Sequence, residues 1–80
     1  MPTVLRIRGY RFFFFSREGN EPPHIHVEYA EKVAKFWLNP VTLARSYGFR
    51  NHELNDLQGI VEAHRNLFEE KWNEYFSRES

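Results

Sequence analysis

Two histidines and a glutamate, His24, His26 and Glu28, alternate along one short segment and are the residues of this sequence best suited to chemistry. In an extended strand the three side chains would point to the same face, with neighbours roughly 6.5 Å apart. Two imidazoles and a carboxylate at this spacing can hold a metal ion and leave a coordination position for water. The first hypothesis is therefore a metal site formed by these three residues.

The same pair of histidines supports a second hypothesis, catalysis on RNA without a metal or any other cofactor. One neutral imidazole would accept the proton of a 2′-hydroxyl group, and the other, protonated, would donate a proton to the leaving oxygen. His24 and His26 would then be the catalytic residues, and basic side chains would stabilise the charge on the phosphate. The residues expected to contact the nucleic acid are Arg6, Arg8, Arg11, Lys35 and Trp37.

Two further interpretations involve no catalysis. The histidines can be ordinary strand residues at the surface, one of them hydrogen-bonded to the proline-containing loop before them. The chain can also be a binding module that docks a small partner protein, or a second copy of itself, through strand edges and exposed aromatic side chains. The sequence alone leaves these alternatives open.

Charge is distributed unevenly along the chain, although the net charge is zero. Residues 1–50 carry eight basic and four acidic side chains, whereas residues 51–80 carry three and seven. A basic half can bind phosphate groups or an acidic partner, and the two halves can also attract each other within the fold. The charge pattern therefore permits RNA binding without requiring it.

Alternation of apolar and polar residues predicts strands in the first half of the chain. Residues 3–8 and 10–16 alternate with a period of two, and residues 24–38 have the pattern of an antiparallel hairpin. One face of this sheet would be apolar and would pack against helices. The opposite face would carry Arg6, Arg8, His24, His26, Glu28, Lys35 and Trp37, together with Phe13 and Phe15.

The second half of the chain has the pattern of helices. Residues 41–47 suit a short helix, and apolar residues from 54 to 76 recur every three or four positions, as in one long helix. We expect residues 1–80 to form a single α+β domain with a four-stranded, mostly antiparallel sheet in residues 1–38. The short helix and the long C-terminal helix of residues 39–80 would pack on one face of that sheet.

The composition excludes several classes of protein. The 80-residue chain has no cysteine, which excludes disulfide bonds, thiolate zinc sites and a cysteine nucleophile. Its longest apolar run, Phe12 to Phe15, is far shorter than the ~20 residues of a membrane span. The first residues show no apolar segment before a small-residue cleavage site, so we expect a cytoplasmic protein that is not attached to a membrane.

Longer stretches of the sequence resemble a known family. The stretches are MPTVLRIRGYRFFFFSR at the N-terminus, EGNEPPHIHVE at residues 18–28, and AKFWLNPVTLA at residues 34–44 followed by Gly48-Phe49. They are similar to the small bacterial family catalogued as domain of unknown function 4160. The resemblance covers nearly the whole chain, and EGNEPPHIHV and AKFWL-x-P are its most distinctive parts.

The resemblance implies a genetic context, namely the neighbouring gene, but it does not imply a mechanism. Members of that family are often encoded beside a small protein of another uncharacterised family, and the pair is interpreted as a toxin–antitoxin module. The resemblance therefore implies a toxin–antitoxin-like component with a small cognate partner protein, and it assigns no role to His24 or His26. We expect RNA binding or cleavage through the basic, histidine-bearing sheet face, with partner docking, homo-oligomerisation or metal-dependent catalysis as alternatives.

Overall fold

The computed structural model describes residues 3–76, in which five strands precede two helices. The strands pair in chain order to form one antiparallel sheet. The α+β prediction is confirmed, with five strands in place of four. The elements are β1 (Thr3–Ile7), β2 (Tyr10–Phe13), β3 (His24–Tyr29), β4 (Lys32–Leu38), β5 (Val41–Tyr47), α1 (Asn51–Ala63) and α2 (Arg65–Phe76).

The last strand, β5, occupies residues 41–47, so the prediction of a short helix there is wrong. The Leu-Ala-Arg stretch inside it favours a helix, but Val41 and Thr42 are β-branched and favour a strand. The two residues Asn39-Pro40 return the chain directly alongside β4. Pairing with β4 gives this short backbone segment hydrogen-bond partners, whereas a helix of about two turns would leave most of its terminal groups unpaired.

The predicted long C-terminal helix is divided in two at His64. The Nδ1–H of His64 donates to the carbonyl oxygen of Ile60, 2.9 Å away, and the backbone N–H of His64 is shared between the carbonyls of Ile60 and Val61. The side chain thus competes with the backbone for a helix carbonyl, and α1 ends here. Neither helix within residues 3–76 has the length and apolar content needed to cross a lipid bilayer.

Both helices lie within the predicted long helix and cover one face of the sheet, as predicted for that helix. Helix α1 packs against β4 and β5, and α2 packs against β3 and β4. Phe12 of the sheet stacks on Phe68 of α2 with 5.3 Å between ring centroids. Each fully buried apolar side chain of this kind stabilises the fold by roughly 1.5–3 kcal/mol. The core consists of Phe12, Phe14, Ile25, Val27, Ala34, Phe36, Leu38, Leu57, Ile60, Val61, Phe68 and Trp72.

The register of the strands decides which side chains share the opposite side of the sheet, which we call the helix-free face. Residues paired directly across antiparallel strands point to the same side. Arg8 lies in the turn after β1 and Phe15 in the loop after β2, both outside the paired residues, but the other members of the predicted grouping share this face. Three rows cross this face: Arg6–Arg11–Glu28–Val33–Tyr47, Phe13–His26–Lys35–Arg45, and His24–Trp37–Thr42.

Candidate functional site

The β2–β3 loop, residues 14–23, folds over part of the helix-free face. At its start Phe14 is buried in the core, and at its end the Pro23 carbonyl accepts a hydrogen bond from the backbone N–H of Leu38. Between them the Glu21 N–H donates to the Glu18 carbonyl, which makes a tight turn. The loop thereby brings two carboxylates onto a sheet face that has histidines and a lysine.

The carboxylate of Glu18 contacts both histidines of β3. Its Oε1 atom lies 2.8 Å from Nε2 of His24 and 2.8 Å from Nε2 of His26. The other ring nitrogen of His24, Nδ1, lies 2.9 Å from the Pro22 carbonyl oxygen. A carbonyl oxygen only accepts hydrogen bonds, so the proton is on Nδ1. We call Glu18, His24 and His26 the Glu–His–His cluster.

Aromatic rings surround the cluster and fix its orientation. His24 is fully buried, and its ring centroid lies 4.8 Å from that of Trp72. His26 is only 6% exposed, stacks on Phe13 and meets the edge of Phe15 with 4.5 Å between centroids. Burial of this kind strengthens electrostatic interactions within the cluster and makes an unpaired polar atom costly.

The titration behaviour of the cluster follows from this burial. Burial raises the pKa of Glu18, but the hydrogen bonds from His24 and His26 outweigh it and hold the pKa below its ordinary value of 4.5. Burial lowers the pKa of His26 below its ordinary value of 6.5, against the opposing effect of its hydrogen bond to Glu18. At neutral pH Glu18 is therefore ionised, and His26 is neutral and donates its Nε2–H to Glu18.

Glu28 is not part of the cluster, in contrast to the predicted metal site of His24, His26 and Glu28. The register places Glu28 opposite Arg11, and the two side chains form an ion pair of 2.6 Å. Within residues 3–76, the potential metal ligands that come together are Glu18, His24 and His26, whose ligand atoms all lie within 4.8 Å of one another. Sequence reasoning missed Glu18, because the path of a loop is not encoded in strand periodicity.

The cluster does not offer the acid–base pair predicted for cleavage without a metal. Both nitrogens of His24 are occupied, one by Glu18 and the other by the Pro22 carbonyl. His24 also has no exposed surface through which a substrate hydroxyl could reach it. His26, although only 6% exposed, lines a groove on the helix-free face.

This groove has a volume of about 320 Å³ and combines aromatic, aliphatic and basic side chains. Three of its lining residues are exposed hydrophobics: Phe15 at 40%, Val33 at 47% and Tyr47 at 73%. Arg45 is also exposed, and it forms no ion pair with any residue between 3 and 76. We call it the sheet-face groove; its lining is Phe13, Phe15, His26, Val33, Ala34, Lys35, Arg45, Ser46 and Tyr47.

Lys35 and Trp37, both predicted to contact nucleic acid, are largely engaged within the protein. Lys35 is 5% exposed, and its Nζ lies 2.8 Å from Oε1 of Glu21 and 4.5 Å from the centroid of the Trp37 ring. Trp37 is half-buried and lines a separate depression with Pro22, Pro23, Asn39, Pro40 and Thr42. The hydrogen bond to Lys35 holds the pKa of Glu21 below its ordinary value, so this ion pair persists at neutral pH.

The three predicted phosphate-binding arginines of the first strands are not brought together. Arg6 is exposed on the helix-free face, and Arg11 is committed to Glu28. Arg8 lines a depression beside α1, with Asp56 among its neighbours, rather than the sheet-face groove. Sequence reasoning missed Arg45 as a candidate because its segment was predicted to be helical.

Comparison with known proteins places the chain in a sequence family. The sequence profile described as Domain of unknown function (DUF4160) matches residues 9–73, which is more than half of the chain. No curated protein and no solved structure matches the chain.

Proposed function

The chain belongs to the family of the domain of unknown function DUF4160, and we propose that it binds single-stranded RNA in the sheet-face groove. The toxin–antitoxin-like setting with a small partner protein, which the resemblance implies, is part of this proposal. The observation that carries it is the juxtaposition of exposed aromatic rings with an uncommitted guanidinium. Phe15, Tyr47 and Arg45 line one groove on the helix-free face, and no residue of α1 or α2 as described contributes to its lining.

Aromatic side chains at the groove provide surfaces for bases. Tyr47 is the most exposed large hydrophobic side chain among residues 3–76, and Phe15 contributes a second exposed ring from the β2–β3 loop. Stacking of a base on an aromatic side chain contributes about 1–3 kcal/mol and depends little on base identity. We therefore expect binding with weak sequence preference.

Basic side chains at the groove are few, which limits the electrostatic part of the affinity. On the helix-free face Lys35 and Arg11 are held in ion pairs by Glu21 and Glu28. Of the basic residues on this face, Arg45 and the more distant Arg6 are therefore the ones that can contact phosphate groups. Two phosphate contacts to a single strand give a slope of about −1.4 in a plot of log K against log salt concentration.

Fluorescence anisotropy with a short, unstructured, labelled RNA tests the proposal. Tyr47→Ala should weaken binding about tenfold through the loss of stacking, and Arg45→Ala should weaken it and flatten the salt dependence. Both side chains are exposed, so the variants should fold normally. Arg65→Ala is the matched control because Arg65 lies on α2 and is similarly exposed.

Two results of the anisotropy experiment would contradict RNA binding in the groove. If wild-type chain shows no salt-sensitive RNA binding, or if Arg65→Ala lowers affinity as much as Arg45→Ala, the sheet-face groove is not an RNA site. Docking of a protein partner on the exposed side of β5 would then be the function to test.

A further inference from the structure

The ring of His24 meets an oxygen atom at both of its nitrogens. Nδ1 lies 2.9 Å from the Pro22 carbonyl oxygen, and Nε2 lies 2.8 Å from Oε1 of Glu18. A neutral imidazole has one N–H, and here the carbonyl requires that proton on Nδ1. The Nε2 lone pair of a neutral His24 therefore points at a carboxylate oxygen. A proton or a metal ion placed between these two atoms would make the contact favourable.

His26 supplies a third potential ligand atom beside Nε2 of His24 and Oε1 of Glu18. Its Nε2 lies 2.8 Å from the same Oε1, and the three donor atoms all lie within 4.8 Å of one another. In a tetrahedral zinc site, neighbouring donor atoms are about 3.3 Å apart. To reach that spacing, the Glu18 carboxylate must move away from each ring by about 0.5 Å, and the two imidazole nitrogens, which lie up to 4.8 Å apart, must move closer together.

The surroundings of His24 are those of a metal ligand. A metal-ligating histidine usually donates its other ring N–H to a carboxylate or a backbone carbonyl, which fixes the tautomer and orients the free nitrogen. The Pro22 carbonyl makes this contact with Nδ1. The ring of Trp72 packs beside His24 and holds the imidazole in place, so that Nε2 is directed at Glu18 before any ion binds.

We propose that Glu18, His24 and His26 form a binding site for a divalent transition-metal ion of the zinc class. Two imidazoles and one carboxylate suit such an ion, whereas Mg²⁺ and Ca²⁺ prefer oxygen ligands alone. Three protein ligands leave one position of a tetrahedral ion for water or another ligand. The site shares His26 with the lining of the sheet-face groove, but its ligands do not include Arg45 or Tyr47, on which the proposed RNA binding depends.

Metal binding at this site should fix the β2–β3 loop against the sheet and so stabilise the folded chain. Glu18 belongs to that loop, whereas both histidines belong to β3. An ion bound between them joins the loop to the sheet and is lost when the chain unfolds. The metal should therefore raise the unfolding temperature in proportion to the logarithm of its concentration above the dissociation constant.

The test uses the untagged chain after treatment with a chelator, since a histidine tag would itself bind metal. We expect competition with a chromophoric chelator to show one Zn²⁺ ion bound per chain. We also expect Zn²⁺ at about 100 times the dissociation constant to raise the unfolding temperature by about 10 °C or more. An equal concentration of Mg²⁺ should produce no shift.

Two glutamate variants make the test specific. Glu18→Gln should weaken Zn²⁺ binding by more than about 100-fold, because it removes a ligand rather than an outer contact. Glu28→Gln is the matched control, since Glu28 lies on the same face but pairs with Arg11, and it should bind Zn²⁺ as wild type does. Each zinc-induced shift is measured from the variant's own metal-free unfolding temperature, so a less stable fold does not mimic a lost ligand.

Two results would overturn the metal site. A folded wild-type chain whose unfolding temperature does not respond to Zn²⁺ would show that the cluster does not bind the ion. Equal Zn²⁺ affinity in the wild type and Glu18→Gln would show that the ion binds elsewhere on the chain. RNA is absent from the experiment, so neither result depends on the sheet-face groove.

Discussion

Oε1 of Glu18 lies 2.8 Å from Nε2 of His24, a side chain that is fully buried on the helix-free face of the sheet. A loop carboxylate is thus the partner of a strand imidazole six positions later in the sequence. This contact holds the β2–β3 loop against the sheet, where it covers His24. It also explains how a buried, polar histidine is accommodated, since no buried side-chain polar atom within residues 3–76 lacks a partner.

Loss of the Glu18 carboxylate should destabilise the metal-free protein. Glu18→Gln replaces a charged acceptor of two hydrogen bonds by a neutral amide, and hydrogen bonds to charged groups are worth about 1.5–3 kcal/mol. We expect the free energy of unfolding to fall by about 2 kcal/mol in urea denaturation with a chelator present. Glu28→Gln breaks a more exposed ion pair and should cost less than about 1 kcal/mol; an equal loss in both variants would contradict the account.

The contribution of Glu53 to stability should be present at neutral pH and lost in acid. The backbone N–H of Arg50 and then the Lys32 ammonium hold the pKa of Glu53 below its ordinary value of 4.5. A carboxylate with a lowered pKa stabilises the folded state above its unfolded pKa, and this contribution is lost as pH falls through the folded pKa. Glu53→Gln should therefore be less stable than wild type at neutral pH, and the two should converge as the pH falls through the lowered pKa of Glu53.

Urea denaturation at neutral pH and at a series of acidic pH values measures this convergence. Glu31→Gln serves as the control, because Glu31 is exposed and forms no ion pair with any residue in the range 3–76. A gap between wild type and Glu53→Gln that stays constant with pH would show that the charge of Glu53 does not stabilise α1.

Replacement of Gly59 should stabilise the protein. Gly59 is exposed in the interior of α1, and a Cβ atom added there would meet nothing within 4 Å. The close packing that a helix glycine often marks is therefore absent at this position. Gly59→Ala should raise the free energy of unfolding by about 0.5–1 kcal/mol, because alanine restricts the unfolded chain and favours the helix.

Gly9→Ala is the contrasting variant in the same denaturation experiment. Gly9 has a φ of +86°, and an added Cβ would lie 2.7 Å from the Tyr29 ring. This substitution should destabilise the protein. If Gly59→Ala also destabilises it, the packing of α1 differs from the one described above.

Expression in a bacterial host tests whether the chain acts as the toxin of a toxin–antitoxin-like module. Under the proposed function, induction of the wild-type chain arrests growth, and the Arg45→Ala/Tyr47→Ala double variant does not. Arg65→Ala, whose side chain is outside the sheet-face groove, should arrest growth as wild type does. Continued growth with abundant, folded wild-type chain would contradict a toxin role and would direct attention to the partner-docking alternative.

Much of the sheet could be predicted because strand alternation reports directly on the faces. The hairpin of residues 24–38 appears as β3 and β4, and its histidines share the predicted face with Lys35 and Trp37. The exception is β5, whose Val-Thr start and Leu-Ala-Arg middle give opposite local preferences. Pairing with β4 decides the outcome there, and pairing is a tertiary effect that a local pattern does not contain.

The candidate site could be predicted only in part, because register and loop path decide its members. His24 and His26 were identified from their spacing, but Glu28 has the same spacing and is held by Arg11 on the neighbouring strand. The carboxylate that contacts both histidines is Glu18, which lies in a loop whose sequence has no periodic pattern. Its approach depends on the turn formed by the backbone hydrogen bond between Glu21 and Glu18, which strand alternation does not reveal.

The most direct test of the metal site is a long-range ¹H–¹⁵N NMR spectrum of the histidine side chains, recorded before and after addition of Zn²⁺. The account predicts that Nδ1 of His24 keeps its proton on the Pro22 carbonyl, while Nε2 of His24 and Nε2 of His26 take the shifts of metal-bound nitrogens. His64, whose Nδ1 donates to Ile60 on the helix side, should not change. A His24 ring that keeps protons on both nitrogens after Zn²⁺ is added would contradict the metal site.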